Sequence, residues 1–70
     1  MADSLGLDKR FTYQPPKDDQ PERYVMIRAA AKAFADVIEN LTPQSREQSL
    51  AITKIEESVF WANASIARNE

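Results

Sequence analysis

The chain contains no cysteine and no histidine. Without cysteine no disulfide can staple a small fold, and without either residue most structural metal sites and nucleophile–base pairs cannot be assembled. Glycine occurs once, and no apolar run is long enough to span a bilayer. Basic charge is also scarce: 9 Lys and Arg stand against 11 Asp and Glu, giving a formal charge of −2 and a pI near 5.0. That balance argues against a protein that coats DNA or RNA, because non-specific binding needs an excess of cations. An anionic partner must therefore be gripped by a few placed cations. These absences lead to an expectation of no enzymatic activity, no catalytic residue, no metal and no cofactor.

What is present is 43% apolar residues in a chain of 70. This suffices for one domain, but one below the size at which a lone core is comfortably stable without a staple or a partner. The stretch MADSLGLDKRF has neither a basic flank before an apolar run nor a membrane-spanning length. The expectation is a cytoplasmic protein with no membrane attachment.

The pattern divides the chain in two. Residues 1–20 hold the glycine and, with Pro21 at the boundary, three of the 4 prolines, and they carry no sustained periodicity. They read as an irregular arm, preorganised by Pro15 and Pro16 and able to lie across a neighbour. Pro21 suits the first turn of a helix, and Asp18 and Asp19 complement the positive end of its dipole. From there Tyr24, Ile27, Ala31, Phe34, Ile38 and Leu41 recur at steps of three and four, which predicts a helix over about 21–40. Pro43 fits the first turn of a second helix, with Thr42 as its cap. Gln48, Ile52, Ile55, Val59, Ala62 and Ile66 repeat the spacing to about residue 67. The fold class expected is all-α: the arm followed by an antiparallel two-helix hairpin of residues 21–70.

One face of the second helix cannot be buried by such a hairpin. Arg46, Ser49, Thr53, Leu50, Phe60 and Trp61 point about 100–140° or more away from the apolar seam. Leaving Leu50, Phe60 and Trp61 in water forfeits roughly 1.5–3 kcal/mol for each side chain. They read as an oligomer interface rather than a ligand platform. For Arg46 the plain alternative is a solvated residue paired with Glu47 or Glu57, and for Thr53 simple surface. A rotation axis near this face changes the weighting. It would gather several copies of Arg46 and Thr53, each arginine near the positive end of its own helix, into a cradle for a ligand with several phosphates.

The run SREQSLAITKIEESVFWANASIARNE, with TYQPPKDDQPERYVMIRAAAKAFADVIENLTP before it, resembles the helical-hairpin domain shared by phage anti-CBASS and anti-Thoeris proteins. The resemblance covers about residues 11–70. It implies a homo-oligomer, a hexamer of hairpins, that sequesters cyclic nucleotide signals in the bacterial host cytoplasm without cleaving them. It implies two kinds of pocket. One, where three protomers meet, takes cyclic trinucleotides, and the family's arginine followed seven residues later by a threonine is met by Arg46 and Thr53, with Ser49 between them. The other, between paired protomers, takes cyclic dinucleotides or cyclic ADP-ribose isomers. Its tyrosine and the basic residue fifteen positions on are matched by Tyr13 and Arg28, arginine standing where the family has lysine. Guanidinium keeps the charge but grips phosphate bidentately, which alters ligand preference. Anti-Thoeris members carry a further β-rich domain that this length does not accommodate, so cyclic oligonucleotides are the expected ligands.

The competing reading is an oligomerising hairpin that binds protein and no nucleotide. Hydrolysis of a messenger is disfavoured because Asp36, Glu39, Glu56 and Glu57 match helix-surface charges better than a metal cluster. A DNA-binding helix-turn-helix is disfavoured because the second helix spreads Arg46, Lys54 and Arg68 among glutamates. The partners expected are thus cyclic oligonucleotides and further copies of the chain, with no DNA.

Overall fold

Residues 5–70 are described by a computed structural model; the first four residues of the expected arm lie outside it. Three helices follow one another: α1 (Leu7–Phe11), α2 (Gln20–Leu41) and α3 (Arg46–Asn69). No strand occurs among the described residues. The fold is all-helical, and α2 and α3 form an antiparallel hairpin.

The arm is less irregular than its composition suggested. Gly6 enters α1 with φ 65, a left-handed geometry that glycine adopts without steric penalty. A second left-handed residue, Asp18 (φ 53), turns the chain into α2. Aspartate is among the few side chains that tolerate this region.

The turn between the long helices corrects the expected start of α3. Pro43 holds Thr42 extended (φ −127, ψ 152), as the residue before proline prefers. It sits in the connection rather than in the first turn of α3, and Thr42 is not the cap. Ser45 is: its hydroxyl accepts from the Gln48 N–H at 3.1 Å, and α3 begins at Arg46. The signal was in the sequence as Ser45-Arg46-Glu47-Gln48, the S-x-x-Q spacing of a capping box. The Thr42 hydroxyl instead donates to the Ile38 carbonyl at 2.6 Å. The Gln48 amide donates to the carbonyls of Thr42 (3.0 Å) and Glu39 (3.3 Å) and to the Thr42 hydroxyl (3.0 Å). Gln48 thereby satisfies carbonyls that the end of α2 leaves without an intrahelical partner, and it ties both helices to one corner.

At the other end a polar clamp joins the start of α2 to the end of α3. Gln20, only 3% exposed, accepts from the Lys17 N–H at 3.2 Å and donates to the Glu70 carboxylate at 3.2 Å. The Arg23 guanidinium forks onto both oxygens of the same carboxylate, with Asp19 3.3 Å from its Nε. These bonds raise the Arg23 pKa further and hold Glu70 down at about 2, through Arg23 first and Gln20 second, from its ordinary value near 4.5. A carboxyl depressed on folding stabilises the docked end fully above its unfolded value and ceases to do so as pH falls through its folded one. We expect the Glu70 side-chain carbon in an NMR titration to move with a midpoint near 2, returning toward 4.5 in Arg23→Ala. A wild-type midpoint at or above 4 would show that the clamp does not hold.

Between these ends the seam is thin. Along α3 Gln48, Ile52, Ile55, Val59, Ala62 and Ile66 are all half-buried, as the spacing predicts. Along α2 Tyr24, Ile27, Ala31 and Ile38 are half-buried, but Phe34 and Leu41 are exposed and Ala35 takes the seam position. The reason is rotational: at 100° per residue Phe34 and Leu41 lie about 60–80° to one side of Ala31, whereas Ala35 stays within about 40°. No apolar side chain among the described residues is fully buried. The accessible surface is 5767 Å², against about 4400 Å² expected of a folded monomer of this mass. The radius of gyration is 15.6 Å, against about 11 Å for a compact chain of this length. The surplus surface exceeds the about 800 Å² that one partner contributes to a standard interface.

Candidate functional site

Arg46 is the first residue of α3, immediately after the Ser45 cap, where the free N–H groups and the helix dipole concentrate positive potential. Ser49 and Thr53 follow at steps of three and four. Arg46 and Thr53 are therefore about 20° apart around the axis and about 10 Å apart along it. All three are exposed. None lines the grooves along the α2–α3 seam, at the turn or beneath the arm. They form an exposed stripe along α3.

On the same side of α3 Phe60 (59% exposed) and Trp61 (56%) contact each other edge to face, with ring centroids 5.2 Å apart and planes at 86°. Leu50 is 44% exposed. The hairpin covers none of these three, so a large apolar area flanks the polar stripe.

The cations divide sharply by whether they are committed. Lys32 pairs with Asp36 at 2.8 Å, and that carboxylate raises the lysine pKa. Lys54 pairs with Glu57 at 3.4 Å. Arg23 and Lys17 serve the Glu70 clamp, and Arg10 donates to the Leu5 carbonyl at 3.5 Å. Lys9, Arg28, Arg46 and Arg68, like Arg10, have no acidic partner within the ion-pair distance among the described residues. The plain alternative for Arg46, pairing with Glu47 or Glu57, is thus not what the chain adopts; Glu57 is taken by Lys54.

Three of these cations converge. A groove of about 430 Å³ lies between the arm and the hairpin, within the range of small-molecule sites. Arg28 enters it from α2 beside Tyr24, Lys9 from α1 and Arg68 from the last turn of α3. Phe60, Asn63, Ala64 and Ala67 complete its α3 wall. The Asn63 carbonyl oxygen is buried without a hydrogen-bond partner, a cost that native folds rarely leave standing. Sequence reasoning picked out Arg28 but missed Lys9, Asn63 and Arg68. They are separated by up to 59 positions, and no local pattern joins them. Tyr13 is 79% exposed on the extended segment after α1 and does not line this groove.

Among the described residues there is no cluster of Asp and Glu able to hold a metal ion, and no helix is long and apolar enough to cross a membrane. Fold and surface together define a small helical hairpin with uncommitted cations and an uncovered apolar flank. The family model described as Acb2/Tad1, hairpin domain, matches residues 3–67, and the chain belongs to that family, the anti-CBASS and anti-Thoeris sponge domain. Its members sequester cyclic nucleotide signals rather than turning them over. No curated protein and no solved structure gives a significant match.

Proposed function

We propose that the chain is a phage- or prophage-encoded immune-evasion sponge. It assembles as a homo-oligomer, a hexamer of hairpins, and binds cyclic oligonucleotide second messengers intact in the bacterial host cytoplasm, blocking CBASS-type or Thoeris-type defence. The observation that supports this reading beyond family membership is that Arg46 is without an acidic partner among the described residues, as are the three cations Lys9, Arg28 and Arg68 that line one groove.

In the three-protomer site each copy supplies one Arg46 guanidinium to the phosphates of a cyclic trinucleotide, with the Ser49 and Thr53 hydroxyls as further donors. The α3 N-termini add their dipoles. In the two-protomer site Arg28 of one copy holds a phosphate of a cyclic dinucleotide while Tyr13 of another stacks on a base, a contact worth about 1–3 kcal/mol. No bond in the messenger breaks. Its free concentration falls by mass action, so capacity depends on the number of sites and on slow release.

Native mass spectrometry with cyclic tri-adenylate and a panel of cyclic dinucleotides tests this directly. Six subunits are expected, with three chains per trinucleotide and two per dinucleotide, and nucleotide recovered uncleaved after denaturation. An assembly that retains no nucleotide would leave an interaction module in place of a sponge, and recovery of linear products would remove sequestration.

A further inference from the structure

The segment before α2 has no apolar anchor. Leu5, Leu7, Phe11 and Tyr13 are all exposed. What holds the end of this segment is polar and centres on Lys17. The Lys17 N–H donates to the Gln20 side-chain oxygen at 3.2 Å, its carbonyl accepts from the Gln20 N–H at 3.0 Å, and its Nζ donates to the main-chain oxygen of Glu70 at 2.6 Å. Gln20 is the one buried residue among those described. Its amide donates to the Glu70 carboxylate at 3.2 Å, and the Arg23 guanidinium holds that carboxylate from α2. A single glutamine thus ties the arm, α2 and α3 together at one point.

The segment that leaves this point is stiff. Asp18, in its left-handed turn (φ 53), sets the direction in which the arm departs from α2. Pro15 and Pro16 fix their own φ and keep the residue before each of them extended. Residues 13–17 form no helix. Four steps of about 3.1 Å each carry the chain about 12 Å from Lys17 to Tyr13 with little freedom to bend.

We infer that Gln20 and Glu70 are positioning residues for Tyr13: by fixing Lys17 they set where the extended segment presents the Tyr13 ring to a second copy, and so control cyclic dinucleotide binding without touching the ligand. The inference rests on the two-protomer reading and gives that site a control built from residues outside it. An arm released at Lys17 samples many placements, and the apparent dissociation constant rises by the reciprocal of the fraction left in the binding-competent one. The trinucleotide site is at the opposite end of the chain's long axis: Arg46 and Asn69 bound α3, a helix of 24 residues and about 36 Å, and Glu70 follows Asn69. The two affinities should therefore separate.

The test titrates Gln20→Ala and Glu70→Ala with cyclic di-AMP, cyclic di-GMP and cyclic tri-adenylate by calorimetry. Each variant should weaken the cyclic dinucleotide that wild type binds by about tenfold or more, and leave the trinucleotide within about twofold. Glu70 lies past the end of α3, so its substitution spares the seam should Gln20→Ala fail to fold. Adding Gln20→Ala to Tyr13→Ala should weaken binding no further than Tyr13→Ala alone, because an arm without its ring has nothing left to misplace. A glutamine that served only the fold would add its own loss to that of Tyr13. Additive losses, an equal fall for both classes of nucleotide, or wild-type dinucleotide affinity in both single variants would overturn the inference and leave the two-protomer site standing. If wild type binds neither cyclic dinucleotide, the site and the inference fall together.

Discussion

Arg46→Ala should weaken binding of cyclic tri-adenylate by at least about a thousandfold and leave the oligomer intact. A charge-assisted hydrogen bond is worth about 1.5–3 kcal/mol, and a site on a threefold axis loses three of them with a single substitution. The wild-type side chain makes no ion pair among the described residues, so its removal breaks none. The Ser45 cap that starts α3 is also untouched, since it bonds the backbone of Gln48. Arg46→Lys should fall between the two, because ammonium keeps the charge but loses the planar fork. Titration calorimetry supplies the affinities, and sedimentation velocity checks the assembly. Wild-type affinity in Arg46→Ala would move the trinucleotide site elsewhere.

The second large effect concerns assembly. The double variant Leu50→Glu with Trp61→Glu should dissociate the oligomer at micromolar concentration and lose much of its helical circular dichroism. Polar substitutions at exposed positions of a monomer are usually silent to within about 0.5 kcal/mol. Here the hairpin has no fully buried apolar side chain of its own, and each large residue covered in an interface contributes roughly 1.5–3 kcal/mol. Folding and association should therefore be linked, and the wild-type Tm should rise with protein concentration. A double variant that stays assembled with unchanged helicity would remove Leu50 and Trp61 from the interface.

The hairpin was legible because its information is local and periodic. Six α3 positions, from Gln48 to Ile66, repeat at helical steps and share the half-buried side. The seam of α2 was blurred by composition: Ala30, Ala33, Phe34, Val37 and Leu41 widen its apolar arc beyond what one partner covers, and spacing alone does not say which edge faces α3. The start of α3 was misjudged because proline drew the boundary toward itself, although the serine two residues on had the better cap geometry. At the sites, Arg46 could be singled out from its place beside a helix start. That Lys9, Arg28 and Arg68 share a groove follows only from how the arm folds back across the hairpin, a tertiary fact with no signature in the residues themselves.

The molecule extends 51 × 27 × 13 Å, so across its shortest dimension it is a monolayer of helix. A catalyst can conceal most of its mass behind one reaction centre because each copy works repeatedly. A binder that removes molecules one for one has no such leverage: its yield per unit of ribosome time depends on how much of every copy remains contactable. With no fully buried apolar side chain among the described residues, almost every turn of both long helices keeps side chains exposed.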